Sequence, residues 1–198
     1  MMFLQRWLVA ALAGLLVTMG AASAQVVTVA DVKYCTALQL QGSPLLLNGA
    51  GIRYKAVFKV YTAGLYLERK AGTPQEVAAL RGPKRLSITM LRDIESAELG
   101  KLFSRGMEDN MDKASFSRLV PGVLRMSEIF SQHKKLSAGD TFTVDWLPGT
   151  GTVISVKGVA QGEPFREPEF FDALMGIWLG ERPADWKLKD ALLGKAGG

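Results

Sequence analysis

An α+β fold built on a mainly antiparallel sheet is predicted by the order of three kinds of segment. Short β-branched runs open the chain, helical apolar stripes fill its middle, and a hairpin pattern returns before two terminal helices. Strands and helices come in blocks and do not alternate, which argues against a doubly wound parallel sheet.

Residues 1–24 precede that pattern and read as a signal peptide. Arg6 leads the apolar run Trp7 to Val17, and Ala22-Ser23-Ala24 supplies small residues at both cleavage positions. The run is shorter than the roughly 20 residues that cross a hydrocarbon core, which argues against an anchor. A mature chain starting at Gln25 is therefore expected, in a bacterial periplasm or secreted, with residues 25–198 as a single domain. Loss of Arg6 would lower the formal charge from +5 to +4.

Val26 to Val32 and Thr36 to Gln41 read as short strands, and Gly42-Ser43-Pro44 turns the chain into Leu45-Leu46-Leu47. Ile52 to Glu68, rich in Val, Tyr, Phe and Thr, is sheet and too long for one average strand, so a bend or bulge is expected around Thr62 or Gly64. Gly72-Thr73-Pro74 opens a short helix to Leu80, and the strand Arg85 to Leu91 follows. Beyond Asp93, an N-cap candidate, Leu99, Leu102, Phe103, Met107 and Met111 recur at helical spacing, with Gly106 and Asn110 on the same stripe. Pro121-Gly122 is read as the start of another helix, carrying Val123, Met126, Ile129 and Phe130. Thr141 to Leu147 alternates and turns through Pro148-Gly149-Thr150-Gly151 into Thr152 to Lys157, a hairpin. Phe170 to Trp178 is a helix stopped by Gly180, and Pro183 opens a last one through Trp186 and Leu192.

Composition narrows the function. The charges are scattered, which gives nucleic-acid binding little support and leaves room only for weak attraction to an anionic membrane surface. Cys35 is the only cysteine, so no internal disulfide forms; a buried small hydrophobe is the favoured role. There is no phosphate-cradling loop, nucleophile elbow, CxxC pair or His-rich cluster, so no metal and no cofactor is expected. Gly49-Ala50-Gly51 lacks the rest of a dinucleotide fingerprint. Glu95 and Glu98 suit the first turn of a helix through its dipole, without an acid–base role.

Several segments together carry a family resemblance. Leu47-Asn48-Gly49-Ala50-Gly51-Ile52-Arg53 is followed by Lys59-Val60-Tyr61-Thr62-Ala63-Gly64-Leu65-Tyr66-Leu67-Glu68, then Leu91-Arg92-Asp93-Ile94, and near the end Phe171-Asp172-Ala173-Leu174-Met175-Gly176-Ile177-Trp178-Leu179-Gly180. From about Asp31 to Leu193 the chain resembles the chalcone isomerase-like superfamily, especially its bacterial secreted branch. The resemblance implies an open-faced β-sandwich, a curved antiparallel sheet covered by a helical layer that encloses a cleft. It also implies that Arg53 faces a carboxylate or oxyanion, that Thr62 orders an oxygen or water near the ligand, and that Asn110 hydrogen-bonds the ligand. The family tyrosine of the first long helix has no counterpart around Phe103 to Met107.

Members of that family either close a flavanone ring or bind fatty acids, and the residues here favour binding. An arginine holds a carboxylate by two charge-assisted hydrogen bonds, and eight buried methylenes would contribute about 6 kcal/mol before ordering costs. Ring closure needs an activated nucleophile and donors aligned on developing charge, and no catalytic set is secure. The expected function is a binding protein for a fatty acid or other small hydrophobic carboxylate, with Arg53, Thr62 and Asn110 at the ligand. One alternative is an isomerase of phenolic enones, with Arg53 stabilising the oxyanion and Thr62 positioning water. Another is a nonenzymatic structural or interaction protein whose cleft is filled by Phe and Met side chains.

Overall fold

The computed structural model describes residues 25–195. Strands β1 (Val26–Val29) and β2 (Val32–Cys35) form a hairpin, and β3 (Ala37–Leu40) turns through Gln41 and Gly42 into β4 (Ser43–Lys55). After Ala56 and Val57 the chain returns as β5 (Phe58–Leu67), so Ile52 to Glu68 is the end of one strand, a two-residue turn and a second strand. Helix α1 (Pro74–Ala79) is capped by Thr73, whose hydroxyl accepts from the Glu76 N–H at 3.2 Å. Strand β6 (Lys84–Met90) follows. The short strands β7 (Ile94–Glu95) and β8 (Lys135–Leu136) pair around α2 (Ser96–Glu108) and α3 (Lys113–Ser131). Strands β9 (Thr141–Leu147), β10 (Gly151–Val156) and β11 (Val159–Ala160) and helices α4 (Pro168–Leu179) and α5 (Trp186–Leu192) complete the chain.

The architecture is α+β: a curved, wholly antiparallel seven-stranded sheet, in the order β11-β10-β9-β6-β5-β4-β3, covered by helices. Alternation along each strand decides what each face carries. Tyr61, Ala63 and Leu65 of β5, Leu86, Ile88 and Met90 of β6, and Phe142 and Val144 of β9 form the floor under the helices. The intervening residues face the β1–β2 hairpin, where Tyr34 packs with Leu45, Leu47 and Tyr66. On that second face Asp145, 3% exposed, accepts both prongs of Arg85 at 2.7 and 2.6 Å, which lifts the guanidinium pKa further. Among the described residues no helix is long and apolar enough to cross a membrane.

Three local expectations are corrected. Helix α3 begins at Lys113, not at Pro121, because the Asp112 carboxylate accepts from the Ser115 N–H at 2.9 Å and caps it; Pro121 lies inside. Asp93 does not cap α2. Its carboxylate accepts from Lys135 Nζ at 2.6 Å and from the Ala138 N–H at 3.0 Å, fastening the β7–β8 clip. Cys35 is exposed, because strand alternation turns its neighbour Tyr34 inward.

Helix α5 packs directly on β4, where Gly49 and Gly51 leave room for it. A bulge between Leu47 and Gly49 sets Asn48 out of register, 4% exposed. Its amide donates to the Ala71 and Leu192 carbonyls at 2.9 and 2.7 Å and accepts from the Ala71 N–H at 2.8 Å. A methyl on Gly49 would lie 1.9 Å from the Ala191 carbonyl oxygen, and one on Gly51 would lie 2.6 Å from Ala191 Cβ. Asn48→Ala and Gly49→Ala should each lower stability by about 2–4 kcal/mol in urea unfolding, through unpaired buried polar groups and overpacking respectively. Gly72→Ala, whose methyl would meet only Glu76 Oε2 at 3.8 Å, should stay within about 0.5 kcal/mol.

Candidate functional site

Arg53 lies next to the last register shift of β4 and is paired across the ladder with Tyr61 of β5. The two therefore share the helix-covered face. The shift leaves the Tyr54 N–H free of the ladder, and Asp185 Oδ2 takes it at 2.8 Å. The other oxygen of Asp185 caps α5, accepting from the Lys187 and Leu188 N–H groups at 2.8 and 3.2 Å. This double duty holds the Asp185 carboxylate 3.7 Å from Arg53 Nη1, with the two side chains 10% and 22% exposed.

Beside Arg53 the Tyr61 hydroxyl accepts a hydrogen bond from Trp178 Nε1 at 2.8 Å. Its own proton goes to no acceptor among the described residues. Burial pushes the Tyr61 pKa up to about 12, against the opposing pull of the Trp178 hydrogen bond and the Arg53 charge. Arg53 and Tyr61 line a cavity of about 210 Å³ that also takes Leu99, Leu102, Phe103 and Arg105 from α2, Ile177 from α4, and Arg182 to Ala184 from the α4–α5 loop. Its charged lining is Arg53, Lys55, Arg105 and Arg182 against Asp109. Behind it the space is filled: Phe103 packs against Phe130, Phe142 and Trp178 with ring centroids 5.3, 5.7 and 5.7 Å apart.

The other two sequence candidates lie elsewhere. Thr62 is fully buried, but on the opposite face of the sheet from Arg53, where its hydroxyl accepts from the Tyr34 hydroxyl at 2.8 Å. Adjacent residues of one strand cannot share a face, so Tyr61 excludes Thr62 from the cavity. Asn110 has a structural set of partners: its amide donates to the Gly106 and Arg182 carbonyls at 2.9 and 3.0 Å and accepts from the Arg182 N–H at 2.8 Å. It fastens the end of α2 to the loop that carries Arg182. Tyr61, Trp178, Arg105, Arg182 and Asp185 escaped sequence reasoning. The available signal was Tyr61 itself, inside the segment that carries the family resemblance. Among the described residues no group of three or more His, Cys, Asp or Glu is placed to hold a metal ion.

Fold and site together define a helix-covered antiparallel sheet with a small cationic cavity at the edge of its helical layer. The family model described as chalcone isomerase-like matches residues 26–194, and the chain belongs to that family. The solved structures include a similar one, a fatty-acid binding protein of Arabidopsis thaliana, with a TM-score of 0.67 and 14% identity over 85% of this chain and 96% of that one. At that identity the likeness shows the fold. No curated protein matches the sequence. The expectation of a periplasmic or secreted protein is corrected here: a solved structure of similar fold is a plant fatty-acid binding protein and lends that location no support. Residues 1–24, read as a signal peptide, lie outside the described residues.

Tyr61 makes the site pH-sensitive in a defined direction. Its folded pKa is above the ordinary 10.0, so its contribution to stability is complete below pH 10.0 and is lost as the pH rises towards 12. Tyr34 and Tyr66 are also raised by burial, so the comparison must isolate Tyr61. Urea unfolding between pH 9 and 11 should show a shallower alkaline loss of stability in Tyr61→Phe than in the unaltered protein; parallel curves would contradict the assignment.

Proposed function

We propose that the Arg53 cavity binds a small hydrophobic carboxylate. The observation that carries this reading is the juxtaposition of the Arg53 guanidinium and the Tyr61 hydroxyl, whose own proton goes to no acceptor among the described residues, in a cavity that also takes Leu99, Leu102, Phe103 and Ile177. A carboxylate offers two oxygens, one for the guanidinium and one for the phenol, and both contacts strengthen where water is excluded. The surplus of cations in the lining attracts the head group, while Leu99, Leu102, Phe103 and Ile177 surround the tail. The A. thaliana protein of the same fold is described as a fatty-acid binding protein, which supports the ligand class. The cavity of about 210 Å³ lies below the roughly 300–1,000 Å³ usual for ligand sites, which favours a short tail.

Two other readings retain specific support. Arg53 and Tyr61 could equally stabilise the oxyanion of an enone isomerase, although Thr62, its expected water-positioning partner, faces the other side of the sheet. The packed rings of Phe103, Phe130, Phe142 and Trp178 favour a filled cleft with an interaction role. We also propose that residues 25–198 are one domain preceded by a removable segment, residues 1–24.

Calorimetry with octanoate, beside an assay with a simple chalcone, separates these readings. Arg53→Ala should weaken octanoate binding about tenfold or more, as expected for a lost hydrogen bond to a charged group of about 1.5–3 kcal/mol. Arg53→Lys should recover part of the loss, since lysine keeps the charge without the planar fork. Thr62→Val should leave the affinity unchanged. Equal affinity in all variants would remove Arg53 as the anchor. Chalcone turnover abolished in Arg53→Ala would move the isomerase reading ahead, and the absence of both activities would favour the filled cleft.

A further inference from the structure

The tip of the β4–β5 hairpin contradicts its own turn chemistry. Two-residue hairpin loops favour Asn, Asp and Gly, which tolerate positive φ and sit well in water. Here the loop is Ala56, at φ 53°, and Val57. Val57 is 82% exposed and the following Phe58 59% exposed. Such a departure from local rules, with no core contact to compensate it, marks a functional surface.

The surroundings indicate what covers it. Lys55 and Lys59 flank the apolar pair, and no acidic residue occurs between Ile52 and Leu67. The Arg92 guanidinium lies over the Phe58 ring, 5.2 Å from its centroid. The facing acid is Glu98, 3.7 Å from Lys55 in a pair more than half exposed on both sides, and such pairs hold weakly. The nearby Asp93 is engaged by Lys135. Two apolar side chains on a protruding tip are far smaller than the roughly 800 Å² per partner of a stable protein interface. A bilayer asks for less: an apolar wedge for its interfacial zone and cations for its headgroups.

We propose that this hairpin tip docks on an anionic lipid bilayer, with Val57 and Phe58 entering the interface and Lys55, Lys59 and Arg92 pairing with headgroups. Docking in this way sets the cavity beside the lipid, because Lys55, Val60 and the 42%-exposed Leu102 line it. The proposal goes beyond carboxylate binding and does not require it.

The experiment reads the tip itself, so contacts made by other segments do not confuse it. Exposed Cys35 is replaced by Ser, Val57→Cys carries an environment-sensitive fluorophore, and the full chain is mixed with vesicles. Blue-shifted, brighter emission is expected with equimolar phosphatidylcholine and phosphatidylglycerol, weak emission change with phosphatidylcholine alone, and reversal at high salt. Adding Phe58→Ser and Lys59→Gln should lower vesicle partition about tenfold. The same pair of changes should leave octanoate affinity intact, since neither residue lines the cavity. An unchanged emission with anionic vesicles, whether or not the protein binds them, would overturn the proposal, as would equal responses to both lipids. Absence of octanoate binding by the unaltered protein, with the vesicle signal present, would count against the ligand reading alone.

Discussion

The site depends on one contact, the seating of α5 against the bulged strand β4. Gly49 and Gly51 leave room for the helix backbone at Ala191, and the out-of-register Asn48 clasps both the end of α5 and the loop after β5. Once the helix is seated, its N-cap Asp185 can reach the Tyr54 N–H that the second irregularity of β4 leaves free. The same carboxylate then stands beside Arg53. The α4–α5 loop is stretched between this end and Asn110, which grips Arg182 from the tip of α2. A helix–strand contact thus determines where the cations of the cavity stand, although Gly49, Asn48 and Asn110 line no part of the Arg53 cavity.

A second constraint is the period of two along β5. Tyr61 and Thr62 are neighbours with opposite fates. Tyr61 turns to the helices, accepts from Trp178 and keeps its proton, while Thr62 turns to the hairpin face and accepts from Tyr34. Gly64 supports this second face, since a methyl there would lie 2.6 Å from the Tyr34 ring. The sheet therefore separates the Tyr34–Thr62 pair on one face from the Tyr61–Trp178 pair on the other. Burial matters differently on the two sides. Thr62 is fully buried and its hydroxyl is engaged by Tyr34, whereas the Tyr61 hydroxyl accepts from Trp178 and gives its own proton to no acceptor among the described residues.

The fold was largely legible because its signals are local. The alternation of Thr141 to Leu147 and the apolar stripe from Leu99 to Met107 each name their element without knowledge of the rest. The helix start at Lys113 was obscured because Pro121 is a strong breaker signal that a good cap at Asp112 overrides. The β4–β5 turn was obscured because Ala56-Val57 carries no turn residue, and its loss hid the pairing of Arg53 with Tyr61. Arg53 enters the sequence reading only through the family segment, and its place beside the cavity follows from its pairing with Tyr61. Trp178 could not be linked to Tyr61 by spacing, since 117 residues separate the partners. Asn110 is a polar group on an apolar stripe, but its partners belong to the α4–α5 loop, which only the folded chain brings near.

The aromatic cluster gives the cavity its depth. Phe103 lines the cavity and simultaneously packs on Phe130, Phe142 and Trp178, so the wall at the end of the cavity is continuous with the core. A longer tail could extend only by displacing rings that are almost wholly buried, and removing such packing is costly. Trp178 also donates to the Tyr61 hydroxyl, which couples the depth of the cavity to its polar head. A tail that pushed Trp178 aside would take away the hydrogen bond that orients the phenol. Under the carboxylate reading, head-group recognition and tail length would therefore not be independent: the indole backs the Phe103 wall that limits one and donates to the phenol that holds the other.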